Sequence, residues 1–68
     1  MKYSELYQQR IRSLCNQRRI SINKLATMSG VKQSTLDNIV RGITKDPRAS
    51  TLHKISNAFN MTLAEFLD

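Results

Sequence analysis

Apolar residues recur at helical spacing through most of this chain, in short segments separated by glycines, capping residues and one loop that contains proline. Spacings of i, i+3, i+4 and i+7 place such residues on one side of a helix, whereas a half-buried strand needs strict alternation. The chain has 68 residues, so a few helices must form the whole core. The pattern therefore predicts an all-α protein with a single domain over residues 1–68.

Local signals at the segment ends predict five helices. Ser21 is placed to cap the second helix, and Gly30 to end it in a left-handed conformation. Ser50 is placed to cap the fourth helix, and Thr62 with Glu65 forms a capping-box pattern before the fifth. The predicted helices cover residues 4–19, 22–29, 32–41, 51–59 and 62–67.

The charge of the chain is strongly positive and unevenly distributed. Eleven Lys and Arg residues stand against five Asp and Glu residues, a net charge of +6. The whole excess lies in residues 1–48, whereas residues 49–68 carry one basic and two acidic residues. Such an excess favours a polyanionic partner, although a membrane surface or an acidic protein would also attract it. Charge alone does not choose among these partners.

The sequence lacks the residue patterns that several functional classes require. Cys15 is the only cysteine, which excludes an intrachain disulfide and favours a cytoplasmic location. One histidine and one distant cysteine make no metal site, and we find no nucleophile with a base, paired carboxylates or phosphate-binding loop. The first ten residues lack the apolar core of a secretion signal, and no apolar run approaches a membrane span. We therefore expect no enzyme, cofactor or membrane partner.

The segment around Gly30 carries the most specific functional signal. A short helix, a tight turn with glycine and a second helix with a polar outer face form a helix-turn-helix arrangement. The outer face of the predicted third helix offers amide, hydroxyl and guanidinium groups. One α-helix fits the major groove of DNA, where Gln and Asn amides pair with adenine and Ser or Thr with either kind of partner. From this helix alone, an ordinary solvated face is an equally good interpretation.

The sequence resembles the Cro/XRE-type, phage lambda repressor-like helix-turn-helix family. The resemblance is carried by Ile20-Ser21-x-x-Lys24-Leu25-Ala26-x-x-Ser29-Gly30-Val31-x-Gln33-Ser34-Thr35-Leu36-x-x-Ile39-x-Arg41-Gly42. It continues in Pro47, Thr51-Leu52-x-x-Ile55-x-x-Ala58-Phe59 and Met61-Thr62-x-x-Glu65-Phe66-Leu67. It implies a compact five-helix, lambda-repressor-like fold that binds double-stranded DNA as a transcriptional regulator.

The resemblance also implies roles for particular side chains. Gln33, Ser34 and Asn38 match positions that read base edges, while Thr35 lies nearer the core and would reach a phosphate or a thymine methyl group. Phosphates would be contacted at the start of the second helix and around the third, by Ser21, Ile22, Asn23, Lys32, Arg41, Lys45 and Arg48.

Three features depart from the family pattern. Ile22 stands where the family often has glutamine, so that phosphate contact is either made by backbone amides or absent. Cys15 and Val40 stand where many relatives have an arginine and a glutamate, and this joint change predicts an apolar contact that leaves no charge stranded. Lys32 replaces a capping serine, which should weaken the cap and add a cation near the DNA backbone.

The arginines of the first helix receive separate predictions. Arg10 forms a basic set with Lys24, Lys32, Lys45 and Arg48, and most members of this set are expected near phosphate. Arg12, Arg18 and Arg19 are expected to be plain surface residues. Taken singly, each of these cations is more often a solubility charge than a contact.

Three functions remain open at this stage. A specific regulator, most simply a repressor, would bind a palindromic operator as a homodimer, because one short helix reads only a few base pairs. The same fold could instead be a protein-interaction module, such as an antitoxin or an anti-repressor partner. It could also bind DNA without sequence preference, as an architectural protein does. The chain ends after the fifth helix, so we expect no sensor domain, and by analogy we expect the dimer surface on that helix.

Overall fold

The computed structural model describes residues 3–68, and over this range all regular structure is helical. The helices are α1 (Tyr3–Arg18), α2 (Ile22–Ser29), α3 (Gln33–Val40), α4 (Ala49–Ala58) and α5 (Leu63–Leu67). α1 packs against α3 and α5, α2 packs against α3 and α4, and α4 packs against α5. The predicted all-α, five-helix fold is confirmed. None of these helices has the length and apolar composition that crossing a bilayer requires.

The helix boundaries differ from the prediction by one or two residues. α2 begins after Ser21, whose hydroxyl accepts a hydrogen bond from the N–H of Lys24 at 3.0 Å, as predicted. α1 lies one residue earlier than predicted, and α3 is one residue shorter at each end. The prediction that Ser50 caps α4 is wrong. The N–H of Leu52 bonds to the carbonyl of Arg48 at 3.1 Å, so Arg48 is the N-cap and the helix starts two residues earlier.

A single core is shared by all five helices. Its fully buried large apolar side chains are Ile11, Leu25, Leu36, Ile39, Ile55, Phe59 and Phe66. Cys15 and Val40 belong to the same core and are 5% and 6% exposed. Burial raises the pKa of the Cys15 thiol, which favours its neutral form. Both positions therefore face inward as expected, and no charged side chain is buried among residues 3–68.

The predicted capping box holds the start of α5, a helix of five residues. The hydroxyl of Thr62 accepts a hydrogen bond from the N–H of Glu65 at 3.1 Å. The carboxylate of Glu65 in turn accepts one from the N–H of Thr62 at 2.9 Å. Hydrogen bonding to Thr62, first from its backbone and second from its side chain, lowers the pKa of Glu65. The ionised carboxylate is thus the form that stabilises α5.

We expect Glu65→Gln to reduce the pH dependence of stability. The pKa of Glu65 is lower in the folded chain, so its contribution is present above the unfolded pKa of about 4.3 and is lost as the pH falls through the folded pKa. Urea unfolding at about pH 7 and about pH 3 measures this effect. The wild type should be the more stable protein near neutrality, and the difference should shrink in acid. A difference of equal size at both pH values would contradict the expectation.

Candidate nucleic-acid interface

The turn between α2 and α3 consists of Gly30, Val31 and Lys32. Gly30 adopts the left-handed conformation, with φ 74° and ψ 15°, and its N–H donates to the carbonyl of Ala26 at 3.0 Å. A residue with a β-carbon would be strained there, which explains the glycine. Val31 is buried in the core, and Lys32 is extended and immediately precedes α3. Three residues thus join two short helices in the helix-turn-helix arrangement that the sequence predicts.

The recognition candidate, α3, has one apolar side and one polar side. Leu36, Ile39 and Val40 are buried, so side chains at the opposite helical angles remain at the surface. Ser34 and Asn38 are one turn apart and share this outer side. The polar residues along and just after the helix are Gln33, Ser34 and Arg41, which are exposed, and Thr35, Asp37 and Asn38, which are partly buried. The structure therefore leaves Gln33 and Ser34 exposed, and Asn38 and Thr35 are both partly buried.

The starts of α2, α3 and α4 lack an acidic residue that would complement the helix dipole. The first turns of α1 and α5 contain Glu5 and Glu65, whereas those of the three middle helices contain no acid. α3 and α4 also follow cations, Lys32 and Arg48, and neither N-cap side chain makes a capping bond. The weakened cap predicted at Lys32 is confirmed. At the starts of α3 and α4, the preceding cation therefore adds to the partial positive charge of the helix dipole instead of balancing it.

A groove lies between the starts of α3 and α4. Its walls include Lys32 and Thr35 from the α3 side, and Arg48 and Thr51 from the α4 side. Asp46 contributes one acidic group. Thr44 adds a third threonine, so two cations, three hydroxyls and two uncapped helix starts form a setting that favours an anion such as phosphate. The sequence predicted Lys32 and Arg48 as separate contacts, and the structure brings them to one place.

The other predicted phosphate contacts lie outside this groove. Ser21 and Asn23 are exposed at the start of α2, where the Ser21 hydroxyl is engaged in the cap. Ile22 is partly buried and packs against the core, which leaves its backbone for any polar contact. Arg41 is exposed at the end of α3, and Lys45 is exposed in the loop before α4. The predicted set therefore occupies several surface sites around the helix-turn-helix.

Three arginines of α1 bind the C-terminal ends of other helices, a role that sequence reasoning missed. Arg10 donates from Nε at 2.6 Å, Arg12 from Nη2 at 3.4 Å, and Arg18 from Nη2 at 2.9 Å. The acceptors are the carbonyls of Phe66, Val40 and Phe59, respectively. A cation complements the negative end of the helix dipole. The predictions that Arg12 and Arg18 are plain surface residues are therefore wrong, and Arg10 is engaged within the protein rather than with the groove.

One of these roles had a signal in the sequence. Arg18 follows Ile11 at i+7 and Leu14 at i+4, so it continues the apolar side of α1. A long charged side chain at such a position covers apolar surface and must place its head group near a polar partner. The guanidinium of Arg18 lies 5.6 Å from the centroid of the Phe59 ring, which is fully buried. Arg10 and Arg12 flank this side and had no comparable signal.

The fold and the turn define a helix-turn-helix protein. The helix-turn-helix family model matches residues 11–66, and the chain belongs to this Cro/XRE-type family. The chain is also 42% identical, over 48 residues, to the HTH-type transcriptional regulator SlrR of Bacillus subtilis (strain 168). That match covers 71% of this chain and 32% of SlrR, so the chain spans about a third of the length of this relative. The resemblance read from the sequence is confirmed as family membership.

Proposed function

We propose that the protein is a sequence-specific regulator of transcription that binds double-stranded DNA and places α3 in the major groove. The observation that carries the proposal is the polar outer side of α3, which stays at the surface while Leu36, Ile39 and Val40 fix the helix to the core. Gln33 and Asn38 amides and the Ser34 hydroxyl are groups that pair with base edges. Membership of the helix-turn-helix family and the similarity to a transcriptional regulator support the same function.

The proposed phosphate contacts rest on the uncapped helix starts. In the groove between α3 and α4, Lys32 and Arg48 would bind phosphates together with the first backbone N–H groups of both helices. Thr35 lines the same groove and would add a hydroxyl donor. The remaining proposed contacts are Ser21, Ile22 and Asn23 at the start of α2, and Arg41 and Lys45 after α3. These contacts would fix the orientation of α3 without reading sequence.

The size of the protein favours binding as a homodimer. Its longest dimension is 25 Å, whereas major grooves on one side of B-DNA recur about every 34 Å. One copy therefore faces one major groove, and α3 spans only eight residues. Two copies related by a two-fold axis would read a palindromic operator. Occupation of a promoter in this way would repress transcription.

A protein-interaction module, such as an antitoxin or an anti-repressor partner, is the second candidate function. The observation that favours it is Ile43, which follows α3 closely and is 60% exposed. A large exposed apolar side chain suits the centre of a protein interface. On DNA, the same side chain would have to contact a thymine methyl group or sugar atoms.

Selection of bound duplexes from a random pool tests the proposed function. We expect enrichment of one palindromic sequence with half-sites about one helical turn, roughly 10 base pairs, apart. Affinity should fall as salt rises, with a logarithmic slope of about −0.9 for each phosphate contacted. No binding even at low salt would refute the proposal in favour of the protein-interaction module. Binding without sequence enrichment would indicate an architectural role.

A further inference from the structure

The C-terminal end of α3 receives a polar support from α1. The last four carbonyls of a helix have no partner within it. In α3, the first three of these carbonyls accept hydrogen bonds from backbone N–H groups of residues 41–44. No backbone N–H among residues 3–68 reaches the fourth, the carbonyl of Val40. Arg12 donates to it from α1 at 3.4 Å and so completes the set.

A second side chain of α1 contacts the same end of α3. Gly42, two residues after α3, has a φ of 78°. A β-carbon at this position would lie 2.8 Å from Nε2 of Gln8, so the Gln8 side chain lies directly over the glycine. Gln8 and Arg12 are four residues apart and therefore share one side of α1. We call these two side chains, Gln8 and Arg12, the α1 clamp.

The α1 clamp acts beside a proposed base reader. The N–H groups of Ile43 and Thr44 both donate to the carbonyl of Asn38, at 2.9 and 3.0 Å. The backbone that turns at Gly42, under Gln8, is thereby tied to Asn38. A shift of this turn would move the Asn38 side chain with it.

The other end of α3 has no equivalent polar support. Its N-cap, Lys32, makes no side-chain capping bond, and the helix has only eight residues, about two turns. Gln8 packs over the turn that follows α3, and among residues 3–68 Arg12 is the side chain that supports α3 from another helix through a hydrogen bond. Loss of the α1 clamp would leave the position of the helix to apolar packing, which is less directional.

We propose, on the basis of the proposed function, that the α1 clamp sets the position of the C-terminal half of α3 in the major groove and so contributes to sequence specificity. Gln8 and Arg12 are positioning residues, because they act through Gly42 and Val40 and not through contact with the bases. This role separates Arg12 from the cations that bind phosphate. It also assigns a function to Gln8, which belongs to no recognised sequence motif.

Two variants with matched controls test the α1 clamp. Gln8→Ala removes the side chain over Gly42 without changing the charge, and Gln9→Ala, an exposed neighbour on α1, is its control. Arg12→Gln removes the guanidinium, and Lys54→Gln removes the same charge from an exposed position on α4. The readout is the ratio of the affinities for the selected operator and for a scrambled duplex. Circular dichroism first establishes that each variant is folded at the assay temperature.

We expect Arg12→Gln to lower this ratio by at least about threefold, the size of effect that one hydrogen bond supplies. Gln8→Ala removes a packing contact over Gly42 and should lower the ratio in the same direction. The controls should keep the ratio, and the salt slope should not change. A lower melting temperature with an unchanged ratio would overturn the proposal, because the clamp would then only stabilise the fold. A salt slope that becomes shallower by about 0.9, the value for one phosphate contact, in Arg12→Gln but not in Lys54→Gln would also overturn the proposal. Arg12 would then contact DNA.

Hydrogen exchange in the absence of DNA separates this inference from the proposed function. Loss of the α1 clamp should speed exchange of the Ile43 and Thr44 N–H groups in both variants and in neither control. Unchanged exchange in both would refute the clamp itself. A wild-type protein that binds no duplex would refute the proposed function, and the role in specificity with it. A wild-type protein that binds its operator, with variants that match their controls, would refute the inference alone.

Discussion

Replacing Gln33 and Asn38 together with alanine should remove most of the sequence-specific DNA binding and leave the fold intact. Each amide can form two hydrogen bonds with an adenine edge, and each lost contact costs about 1–3 kcal/mol. The double variant should therefore bind its operator roughly thirtyfold to twenty-thousandfold more weakly. Neither side chain belongs to the core, so the melting temperature should change little.

Fluorescence anisotropy with the selected operator and a scrambled duplex measures this loss. The salt slope should match that of the wild type, because neither amide is proposed to contact phosphate. Gln17→Ala with Asn57→Ala is a matched control, since it removes two exposed amides from α1 and α4. Loss of even one base contact should change the affinity by more than about twofold. If the affinity of the double variant for the operator stays within about twofold of wild type, the outer side of α3 does not read the bases.

Phe59→Ala should remove about 3–5 kcal/mol of the free energy of unfolding, the largest loss expected from any single substitution discussed for this protein. The ring is fully buried, and the Arg18 guanidinium both lies over it and donates to the Phe59 carbonyl at 2.9 Å. Truncating a core phenylalanine to alanine costs about 3–5 kcal/mol. At about 0.05–0.15 kcal/mol per residue, a chain of 68 residues has a total stability of roughly 3–10 kcal/mol. One substitution thus removes a large part of the whole.

Urea unfolding monitored by circular dichroism tests this expectation. Phe59→Leu is the control, because it keeps a large apolar side chain and should lose less than about 1.5 kcal/mol after repacking. A cooperative transition in Phe59→Ala with a loss below about 1 kcal/mol would show that the ring contributes much less than its burial implies. DNA binding by Phe59→Ala should fall in proportion to its folded fraction.

Several helix ends were predictable because their signals act within one turn. Ser21 and Gly30 bound α2 through contacts three or four residues away, and the Thr62–Glu65 capping box is equally local. Ser50 misled the prediction, because serine is a preferred N-cap residue, whereas α4 begins two residues earlier, after Arg48, whose side chain makes no capping bond. The polar side of α3 was also predictable, since a 3.6-residue period separates it from the buried residues.

The arrangement between helices could not be predicted in the same way. The acceptors of the α1 arginines are backbone carbonyls, which every sequence has, and Arg10 lies 56 residues from its acceptor. No side-chain pattern marks such a pair. The groove that joins Lys32 and Arg48 likewise depends on how the starts of α3 and α4 come together, and that follows from packing of the whole core. The sequence identified Lys32 and Arg48 as phosphate contacts but did not show that they line the same groove.

The three arginines of α1 also bear on how the chain acquires its structure during synthesis. α1 leaves the ribosome first, but its guanidinium groups meet their acceptors only when residues 40, 59 and 66 have followed. Until then α1 has only part of its partners, those on α3, and an isolated helix of 16 residues is marginal in water. The contacts of the helix that is made first are therefore complete only when nearly the whole domain has been synthesised.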